Sequence, residues 1–454
     1  MSSPSLLDAI TVPAGTGRSV PDAATREIIG HAPVHTLDDL EDAICRARAA
    51  QPAWNALGHA ERSRLLHAIA DDIEAHAEEL AVILSREQGK PLDGPNARFE
   101  VGACAVWTRS AADTVLEPET VFEDGPARAE VHYDALGVVG AIGPWNWPMM
   151  ITVWQIAPSL RMGNTVIVKP SGFTPLSVLA LGEIFNRHLP SGVLSVITGD
   201  REVGAAIASH PGLDKIMFTG STETGRKIVE SSARNLARLT LELGGNDAGI
   251  VLPDTDVSAI AENLFWGCFI NTGQTCAALK RLYVHESVYE TVVNALADLA
   301  TAMPMGRGLD AGNVLGPLQN QNQFDIVRDL VDDARAQGAR IVVGGEPAPE
   351  LGPLFYRATV VADITDGSRL VDEEQFGPAI PVIKYADVDD AVARANASEQ
   401  GLGASVWSDD VDTAVEVAKR LQAGTVWINQ HGALNPAVPF GGTKQSGYGE
   451  EFGA

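Results

Sequence analysis

The sequence has few cysteines and few basic residues, and both shortages restrict what the protein can be. Among 454 residues there are 4 cysteines, which are too few for a disulfide scaffold, and no two of them show CxxC spacing. We therefore predict a reducing, cytoplasmic location. Lysine and arginine total 33 against 59 acidic residues, a net charge of -26. Such a surface repels phosphate backbones, so we expect no nucleic-acid partner.

Long apolar runs are also absent. No stretch approaches the roughly 20 apolar residues that a membrane helix needs, so we predict no membrane association. The first residues, MSSPSLLDAI, lack a basic segment followed by an apolar core and therefore do not predict a secretory signal. The 10 histidines are scattered without metal-like spacing, and we predict no metal site.

The middle of the chain alternates between short apolar runs and helical segments. GVVGAIGP, NTVIVKP, VLSVITG, DKIMFTG and RLTLELGG are rich in β-branched residues, and helical patterns lie between them. This spacing predicts a parallel α/β sheet, which binds its ligands at the carboxyl ends of the strands. A second α/β pattern follows Cys276, so we place a domain boundary near residue 244. Earlier, ERSRLLHAIADDIEAHAEELAVILSREQGKP shows helical periodicity that stops at Gly89 and Pro91.

Cys276 ends the polar stretch NTGQTC, which is an unusual place for a lone cysteine. A packed, inert thiol is the commoner state of such a residue. A nucleophile would need thiolate character and a base or dipoles nearby, and no histidine follows at a spacing typical of a protease pair. The residues alone leave both interpretations open.

Three further stretches combine polar groups with backbone turns. Glu242 lies near the end of the apolar run LTLEL, just before Gly244 and Gly245, either as a solvated loop carboxylate or as a buried general base. Asn146 lies between two tryptophans and two prolines, either in an aromatic corner or as a rigid amide that donates to an oxyanion. FTGSTETG opens a helix after Phe218 without a GxGxxG pattern, either as an ordinary helix start or as a site for an anionic group.

Taken in their order along the chain, these stretches resemble the aldehyde dehydrogenase superfamily. The separation of Glu242 and Cys276 fits that family, and the resemblance covers nearly the whole chain. The residues and motifs that carry it are Asn146, Lys169, Gly220-Ser221, Glu242, Cys276, Glu374-Gln375-Phe376 and PFGGTKQSG.

The resemblance implies oxidation of an aldehyde to the carboxylic acid with NAD or NADP. Cys276 would attack the aldehyde to form a thiohemiacetal, and the Asn146 amide with the Cys276 N–H would stabilise its oxyanion. Glu242 would activate the water that hydrolyses the resulting thioester. With Gly273 and the small residues after the sulfur leaving room for substrate, the thiol is expected to be reactive. Members that pass the acyl group to coenzyme A lack this glutamate, so we expect a free acid.

The resemblance also implies where the cofactor and the substrate bind. Lys169 and Glu374 would contact the two riboses, and Ser221 with its neighbours would face the pyrophosphate. The other expected cofactor contacts are Trp145, Ser171, Gly199, Gly204, Phe218, Thr219, Gly220, Leu243, Gln323 and Phe376. The expected substrate pocket consists of Trp147, Ile151, Trp154, Thr275 and Phe440. Its tryptophans favour aromatic or medium aliphatic aldehydes over small acidic semialdehydes, and we expect His431 in the neighbouring loop to be structural or substrate-adjacent.

Two features depart from the family pattern. Many NAD-preferring members have a glutamate three residues after the lysine, where this chain has Gly172. Without that carboxylate to repel a 2′-phosphate, we expect NADP to be tolerated alongside NAD. The chain also stops at GEEFGA, where members usually continue into a strand that joins the partner subunit, and the sequence leaves open whether that tail is missing.

The predicted fold class is α/β, with a Rossmann-like cofactor domain, a second α/β catalytic domain and a projecting oligomerisation hairpin. We assign 1–118 and 137–243 to the NAD(P)-binding domain, 244–430 to the catalytic domain, and 431–454 to a C-terminal segment that bridges back to the cofactor domain. Residues 119–136 form the hairpin, which implies a homodimer or homotetramer.

Three alternatives stay open beside this prediction. One is a semialdehyde dehydrogenase with the same mechanism. Another is a thioesterase or esterase that uses Cys276 and Glu242 without redox chemistry, and the third is a cofactor-binding scaffold without catalysis. Dependence of aldehyde turnover on a nicotinamide cofactor separates the first from the other two.

Overall fold

The computed structural model describes residues 5–453. Residues 1–4 of the predicted cofactor domain and residue 454 of the predicted C-terminal segment lie outside the described residues. The elements of the N-terminal part are α1 (Leu6–Ile10), β1 (Arg18–Pro21), β2 (Ile28–Ala32), α2 (Leu37–Ala56), α3 (Gly58–Ala75), α4 (Ala77–Gln88) and α5 (Ala97–Asp113).

The remaining elements alternate between strands and helices. From residue 119 to residue 242 they are β3 (Glu119–Asp124), β4 (Ala127–Val131), β5 (Val138–Ile142), α6 (Pro148–Arg161), β6 (Thr165–Lys169), α7 (Pro175–Asn186), β7 (Leu194–Val196), α8 (Arg201–Ser209), β8 (Lys215–Thr219), α9 (Thr222–Ser232) and β9 (Arg238–Glu242). From residue 247 onward they are β10 (Asp247–Val251), α10 (Val257–Phe269), a 3-10 turn (Ile270–Gly273), β11 (Leu279–His285), α11 (Tyr289–Ala302), α12 (Gln321–Ala336), β12 (Arg340–Val343), β13 (Thr359–Ile364), α13 (Arg369–Asp372), β14 (Ala379–Tyr385), α14 (Val388–Asn396), β15 (Gln400–Gly401), β16 (Gly403–Trp407), α15 (Val411–Ala418), β17 (Thr425–Ile428), β18 (Thr443–Lys444) and β19 (Gly447–Tyr448).

The apolar runs in the middle of the chain form one sheet with the strand order β19-β9-β8-β5-β6-β7. Strands β5 to β9 pair in parallel, and β19 pairs antiparallel with β9. Two clusters of buried apolar side chains, contributed by these strands and the surrounding helices, cover the sheet. Because a parallel sheet covered on both faces needs apolar side chains throughout, these strands are almost continuously apolar. The α/β fold class predicted from the sequence is confirmed.

A second sheet has the strand order β12-β13-β14-β11-β10-β16-β17. Its neighbouring strands are parallel except for the antiparallel pair β12 and β13. Two further apolar clusters surround it. The C-terminal segment joins the first sheet through β19, which pairs with β9, and its strand β18 forms a separate two-stranded sheet with β15. The domain limits, as units that fold or move by themselves, stay a prediction.

Strands β3 and β4 form an antiparallel hairpin that turns at Gly125 and Pro126. Every residue of both strands is exposed. A two-stranded hairpin is at best marginally stable by itself, so this element needs a further contact to hold its shape.

The helical run before Gly89 differs from the sequence pattern in one respect. It is divided into α3 and α4 at His76, whose φ of -109° and ψ of 15° leave the helical range. The His76 ring nitrogen Nδ1 lies 2.9 Å from the Asp72 carbonyl oxygen, which holds the break in place. Helix α4 then ends at Gly89 in a left-handed conformation, with a φ of 98° that favours glycine. Within residues 5–453, no helix is both long and apolar enough to cross a membrane.

Candidate active site

Cys276 lies just after a turn with an unusual backbone. Asn271, Thr272 and Gly273 follow one another with φ angles of 50°, 56° and 75°, and positive φ is unfavourable for residues with a Cβ. The side chain of Gln274 stabilises the turn. Its Nε2 donates to the carbonyl oxygens of Asn271 at 3.1 Å and Pro317 at 3.3 Å. The turn that presents the thiol is therefore fixed by buried hydrogen bonds.

Gly273 has a different role from the one expected from the sequence. A Cβ at this position would collide with the carbonyl group of Gly377, so glycine allows the two backbones to touch. Gly273 itself is buried in this contact. The expectation that it leaves room for substrate was wrong, because its small size is used in packing the loop.

The Cys276 thiol is half-buried and packs against a small apolar cluster that includes Ala277 and Phe440. Burial raises the pKa of Cys276 to about 12, and the ammonium of Lys280 opposes this rise. The carboxylate of Glu242 adds to the rise. A thiol in this environment is protonated at neutral pH and must lose its proton as it attacks.

Asn146 reaches the thiol loop from the connection between β5 and α6. Its side chain is buried, and Nδ2 donates to the Gln274 carbonyl oxygen at 3.0 Å. The carbonyl oxygen of Asn146 accepts from Asn271 Nδ2 at 2.9 Å. Next to it, Trp147 Nε1 donates to Thr275 Oγ1 at 2.9 Å. Asn146 and Trp147 are therefore hydrogen-bonded to Gln274 and Thr275, the two residues that precede the predicted nucleophile.

Glu242 is the last residue of β9 and is 3% exposed. Burial raises its pKa well above the usual carboxyl range, and the nearby Glu451 adds to the rise. In the part of the chain that the structure describes, neither of its carboxyl oxygens has a hydrogen-bond partner. A buried carboxyl group with free oxygens and a raised pKa is suited to general-base catalysis.

The carboxyl ends of β6 and β8 form the sheet edge where the predicted cofactor residues lie. Lys169 ends β6 and is 8% exposed, and its Nζ donates to the Pro170 carbonyl oxygen at 3.2 Å. A Cβ on Gly204 of α8 would lie 3.5 Å from the Lys169 side chain, in ordinary contact. Thr219 ends β8, and the hydroxyl of Ser221 caps α9 by accepting from Thr224 N. A buried cation and a helix N-terminus at this edge suit an anionic nucleotide.

The remaining predicted cofactor residues fall into two groups. Phe218 lies within β8, and the others follow strands of the first sheet: Ser171, Gly199, Gly220 and Leu243. Trp145, Gln323 and Phe376 lie around Glu374 instead. The rings of Trp145 and Phe376 are 5.4 Å apart, and Gln323 Nε2 donates to the Gln375 carbonyl oxygen at 2.8 Å. The contacts of both groups with a cofactor stay a prediction.

Comparison with known proteins decides the family. A model described as "Aldehyde dehydrogenase family" matches residues 13–454. The chain belongs to the aldehyde dehydrogenase family. Phenylacetaldehyde dehydrogenase from Pseudomonas fluorescens is 39% identical over 449 residues, which cover 96% of this chain and 89% of that protein. Geranial dehydrogenase from Castellaniella defragrans is also 39% identical over 449 residues, with coverages of 97% and 93%.

Solved structures agree with this assignment. The NAD+ complex of an aldehyde dehydrogenase from Bacillus cereus superposes with a TM-score of 0.94 at 36% identity, and covers 98% of this chain and 91% of that one. An NADP-dependent enzyme from E. coli superposes with a TM-score of 0.94 at 34% identity, with coverages of 98% and 93%. The family and the oxidoreductase class predicted from the sequence are confirmed for this aldehyde dehydrogenase.

The predicted substrate residues of this aldehyde dehydrogenase lie in two environments. Trp154 and Phe440 join an aromatic cluster around Phe452, with ring centroids 5.1 Å (Trp154–Phe452) and 6.2 Å (Phe440–Phe452) apart. An apolar cavity of about 140 Å³ borders Trp154. Trp147 and Ile151 are buried in the core and do not line this cavity. The substrate pocket assignment stays a prediction.

His431 lies in the loop after β17 with its side chain buried, and among the described residues no hydrogen bond links it to a predicted catalytic residue. Its Nδ1 lies 2.9 Å from Ser405 Oγ, and its ring centroid is 5.0 Å from that of Trp427. Both contacts suit the structural role expected for it.

Glu451 is a candidate functional residue that was not predicted from the sequence. It is 2% exposed, burial raises its pKa to about 8, and Lys215 opposes that rise. The antiparallel bridge between Phe440 and Glu451, together with β19 on β9, brings this carboxyl near Glu242. The sequence GEEFGA contains one sign of it, a carboxylate before an aromatic residue. The proximity of Glu451 to Glu242 depends on strand pairing and could not be predicted from that sign.

Proposed function

We propose that the protein oxidises an aldehyde to the free carboxylic acid through a thioester on Cys276. The observation that carries this proposal is the convergence of three groups from different segments. Asn146 is hydrogen-bonded to the loop that presents Cys276, and the buried Glu242 carboxyl acts electrostatically on the same thiol. A nucleophile, an oxyanion donor and a base in one place match the needs of acyl chemistry.

The first step forms a bond between the Cys276 sulfur and the aldehyde carbon. The carbonyl electron pair moves to oxygen, and the thiol proton is released to solvent. The Nδ2 group of Asn146 has two hydrogens, and one is used on the Gln274 carbonyl. The other, with the Cys276 N–H, can donate to the new oxyanion. This step gives a thiohemiacetal.

Held by Lys169 and Glu374, NAD or NADP would supply the hydride acceptor for the conversion of the thiohemiacetal to a thioester. Glu242 then removes a proton from a water molecule whose oxygen attacks the acyl carbon. The carbon–sulfur bond breaks, the leaving sulfur of Cys276 takes that proton from Glu242, and the acid leaves. Among the described residues neither carboxyl oxygen of Glu242 has a hydrogen-bond partner, so either can accept from that water.

The product is proposed to be the free acid because Glu242 is present and buried. Supplying coenzyme A to the reaction should not change the product. Accumulation of acyl-coenzyme A as the main product would contradict this part of the proposal.

The cofactor is NAD or NADP, and the site favours tolerance of both. A Cβ at Gly172 would collide with the guanidinium of Arg18, which is ion-paired with Asp200. This position therefore has a cation nearby and lacks a carboxylate of its own, which suits a 2′-phosphate. A preference for NAD on the order of 10³-fold in kcat/KM, worth about 4 kcal/mol, would contradict dual use.

The proposed substrates are aromatic or medium aliphatic aldehydes. The aromatic cluster of Trp154, Phe440 and Phe452 provides flat apolar walls beside the Cys276 cluster. Relatives named for phenylacetaldehyde and for geranial act on compounds of this kind. A semialdehyde substrate is the alternative, and a panel that includes acidic aldehydes distinguishes the two.

A homodimer or homotetramer is also proposed, formed through the hairpin of β3 and β4. Two apolar side chains of β3 support this: Val121 is 56% exposed and Phe122 is 53% exposed. Exposed apolar side chains on an isolated hairpin are typical of an interface. The cytoplasmic location stays a prediction.

Absorbance of the reduced nicotinamide tests the proposed function. The purified protein is mixed with aliphatic, aromatic and acidic aldehydes, with NAD and NADP in parallel, and Cys276→Ala serves as the control. We expect reduction with at least one apolar aldehyde and none in the variant. Aldehyde-independent ester cleavage without any reduction would favour the thioesterase alternative.

A further inference from the structure

Lys280 lies at the start of β11, four residues after the predicted nucleophile, with a side chain only 2% exposed. Its Nζ donates to the Cys276 carbonyl oxygen and lies 3.1 Å from Glu374 Oε1. It also lies 5.6 Å from the centroid of the Phe376 ring. One buried ammonium thus contacts both the thiol loop and the segment that carries Glu374.

The surrounding backbone holds this ion pair in place. Gln375 Nε2 donates to the Lys280 carbonyl oxygen at 3.3 Å, and Gly245 N donates to Glu374 Oε1 at 3.1 Å. A buried charge is expensive without a partner, and removal of one partner leaves the other uncompensated. Lys280 and Glu374 are therefore expected to respond strongly to the loss of each other.

More negative than positive groups act on the Cys276 thiol. The carboxylates of Glu242, Glu374 and Asp247, from three different segments, all disfavour a thiolate at Cys276. Lys280 is the group that favours it. Because sulfur carries negative charge while it attacks, the position of this ammonium bears directly on reactivity.

We propose that Lys280 is a positioning residue for the nucleophile. Its ammonium ties the Cys276 carbonyl to the Glu374 carboxylate and offsets the acidic groups around the thiol. The inference rests on the proposed role of Cys276 and extends it to a residue that the sequence motifs did not single out.

Alkylation of Cys276 by iodoacetamide as a function of pH tests this role, with mass spectrometry of the Cys276 peptide as the readout. A Cys45→Ser background removes the exposed cysteine. In Lys280→Met we expect alkylation at neutral pH to fall about tenfold, the equivalent of a pKa rise of about one unit. Lys280→Arg should restore most of the rate, because it keeps the charge.

Glu374→Gln separates an electrostatic role from a merely structural one. It removes a negative charge from the same contact, so alkylation should become faster, opposite to the effect of Lys280→Met. Lys384→Met, which removes an exposed lysine from β14, is the matched control and should change nothing.

Three results would overturn the inference. They are an unchanged alkylation profile in Lys280→Met, a fall of similar size in Lys280→Met and Glu374→Gln, and a Cys276 that is not alkylated in the parent at any pH. If Lys280→Met does not fold, the other two variants still test the electrostatic role. That role predicts near-parent alkylation in Lys280→Arg and faster alkylation in Glu374→Gln, whereas a merely structural role predicts slower alkylation in both. Alkylation needs neither aldehyde nor cofactor, so a parent protein that oxidises no aldehyde would contradict the proposed function and leave this comparison intact.

Discussion

Single carboxyl groups set the pH range in which the proposed site works. Glu242 must be ionised to accept a proton from water, yet burial and the charge of Glu451 hold its pKa well above the usual range. The fraction of ionised Glu242 therefore increases with pH, and a rate limited by hydrolysis should rise through that raised pKa.

Replacement of Glu451 should move this rise. In Glu451→Gln this neighbour can no longer carry a charge, so the pKa of Glu242 falls and the acid limb of the kcat profile shifts to lower pH. The measurement is kcat against pH at saturating aldehyde and cofactor.

Glu450→Gln is the matched control for this shift. Glu450 is the exposed neighbour and makes a smaller contribution to the pKa of Glu242, so its replacement should shift the profile less. An acid limb that stays in place, or moves to higher pH, in Glu451→Gln would contradict the electrostatic link.

Among the secondary-structure elements, the first turn of α6 depends on a buried ion pair. Its N-cap residue offers no side-chain hydrogen bond. Instead, Glu100 Oε1 accepts from Met149 N at 2.9 Å and Met150 N at 3.1 Å. The other Glu100 oxygen accepts from Lys90 Nζ, which also donates to the Asn146 carbonyl oxygen at 2.8 Å. The pair thus fixes the helix start and the residue that carries the oxyanion donor.

Glu100→Gln should destabilise the protein and slow catalysis together. Gln keeps one acceptor but leaves the Lys90 ammonium buried without its counter-charge, which costs about 3 kcal/mol. We expect a lower free energy of unfolding in urea, and a lower kcat with little change in the Kd of the cofactor.

The exposed pair of Glu78 with Arg98, 2.8 Å apart, provides the control. Glu78→Gln should change neither quantity, because solvent screens such a pair. If Glu100→Gln behaved like Glu78→Gln, α6 would not depend on the buried pair.

On the scale of the whole molecule, the exposed hairpin of β3 and β4 is the element that we expect to contact a partner subunit. Phe122→Asp places a charge on its apolar surface and should lower the molar mass measured by light scattering after size exclusion, because burial of that charge in an interface is unfavourable. Leu236→Asp is the matched control. Leu236 is 87% exposed in a different region, and its replacement should leave the mass unchanged. If the Phe122→Asp protein had the same molar mass as the parent, the interface would have to lie elsewhere.

Much of the fold is predictable from the sequence because each strand carries its own pattern. Lys169 and Glu242 end apolar runs, and a parallel α/β sheet places such residues at one edge. Residues whose role arises from contacts between distant segments were not predictable. In the sequence, Lys280 is one lysine of a predicted strand, and nothing indicates its contacts with distant segments. Glu451 lies near Glu242 only because β19 pairs with β9. Gly273 was assigned to substrate access because its contact with Gly377 lies about a hundred residues away along the chain.

The central claim is that aldehyde oxidation passes through a thioester on Cys276 that Glu242 hydrolyses. Mass spectrometry of Glu242→Gln after mixing with phenylacetaldehyde and NAD or NADP tests it most directly. We predict one equivalent of reduced nicotinamide per active site and an acyl group retained on the Cys276 peptide, because the second half of the reaction lacks its base. Turnover at the parent rate, or reduction without an acyl group on Cys276, would contradict the account.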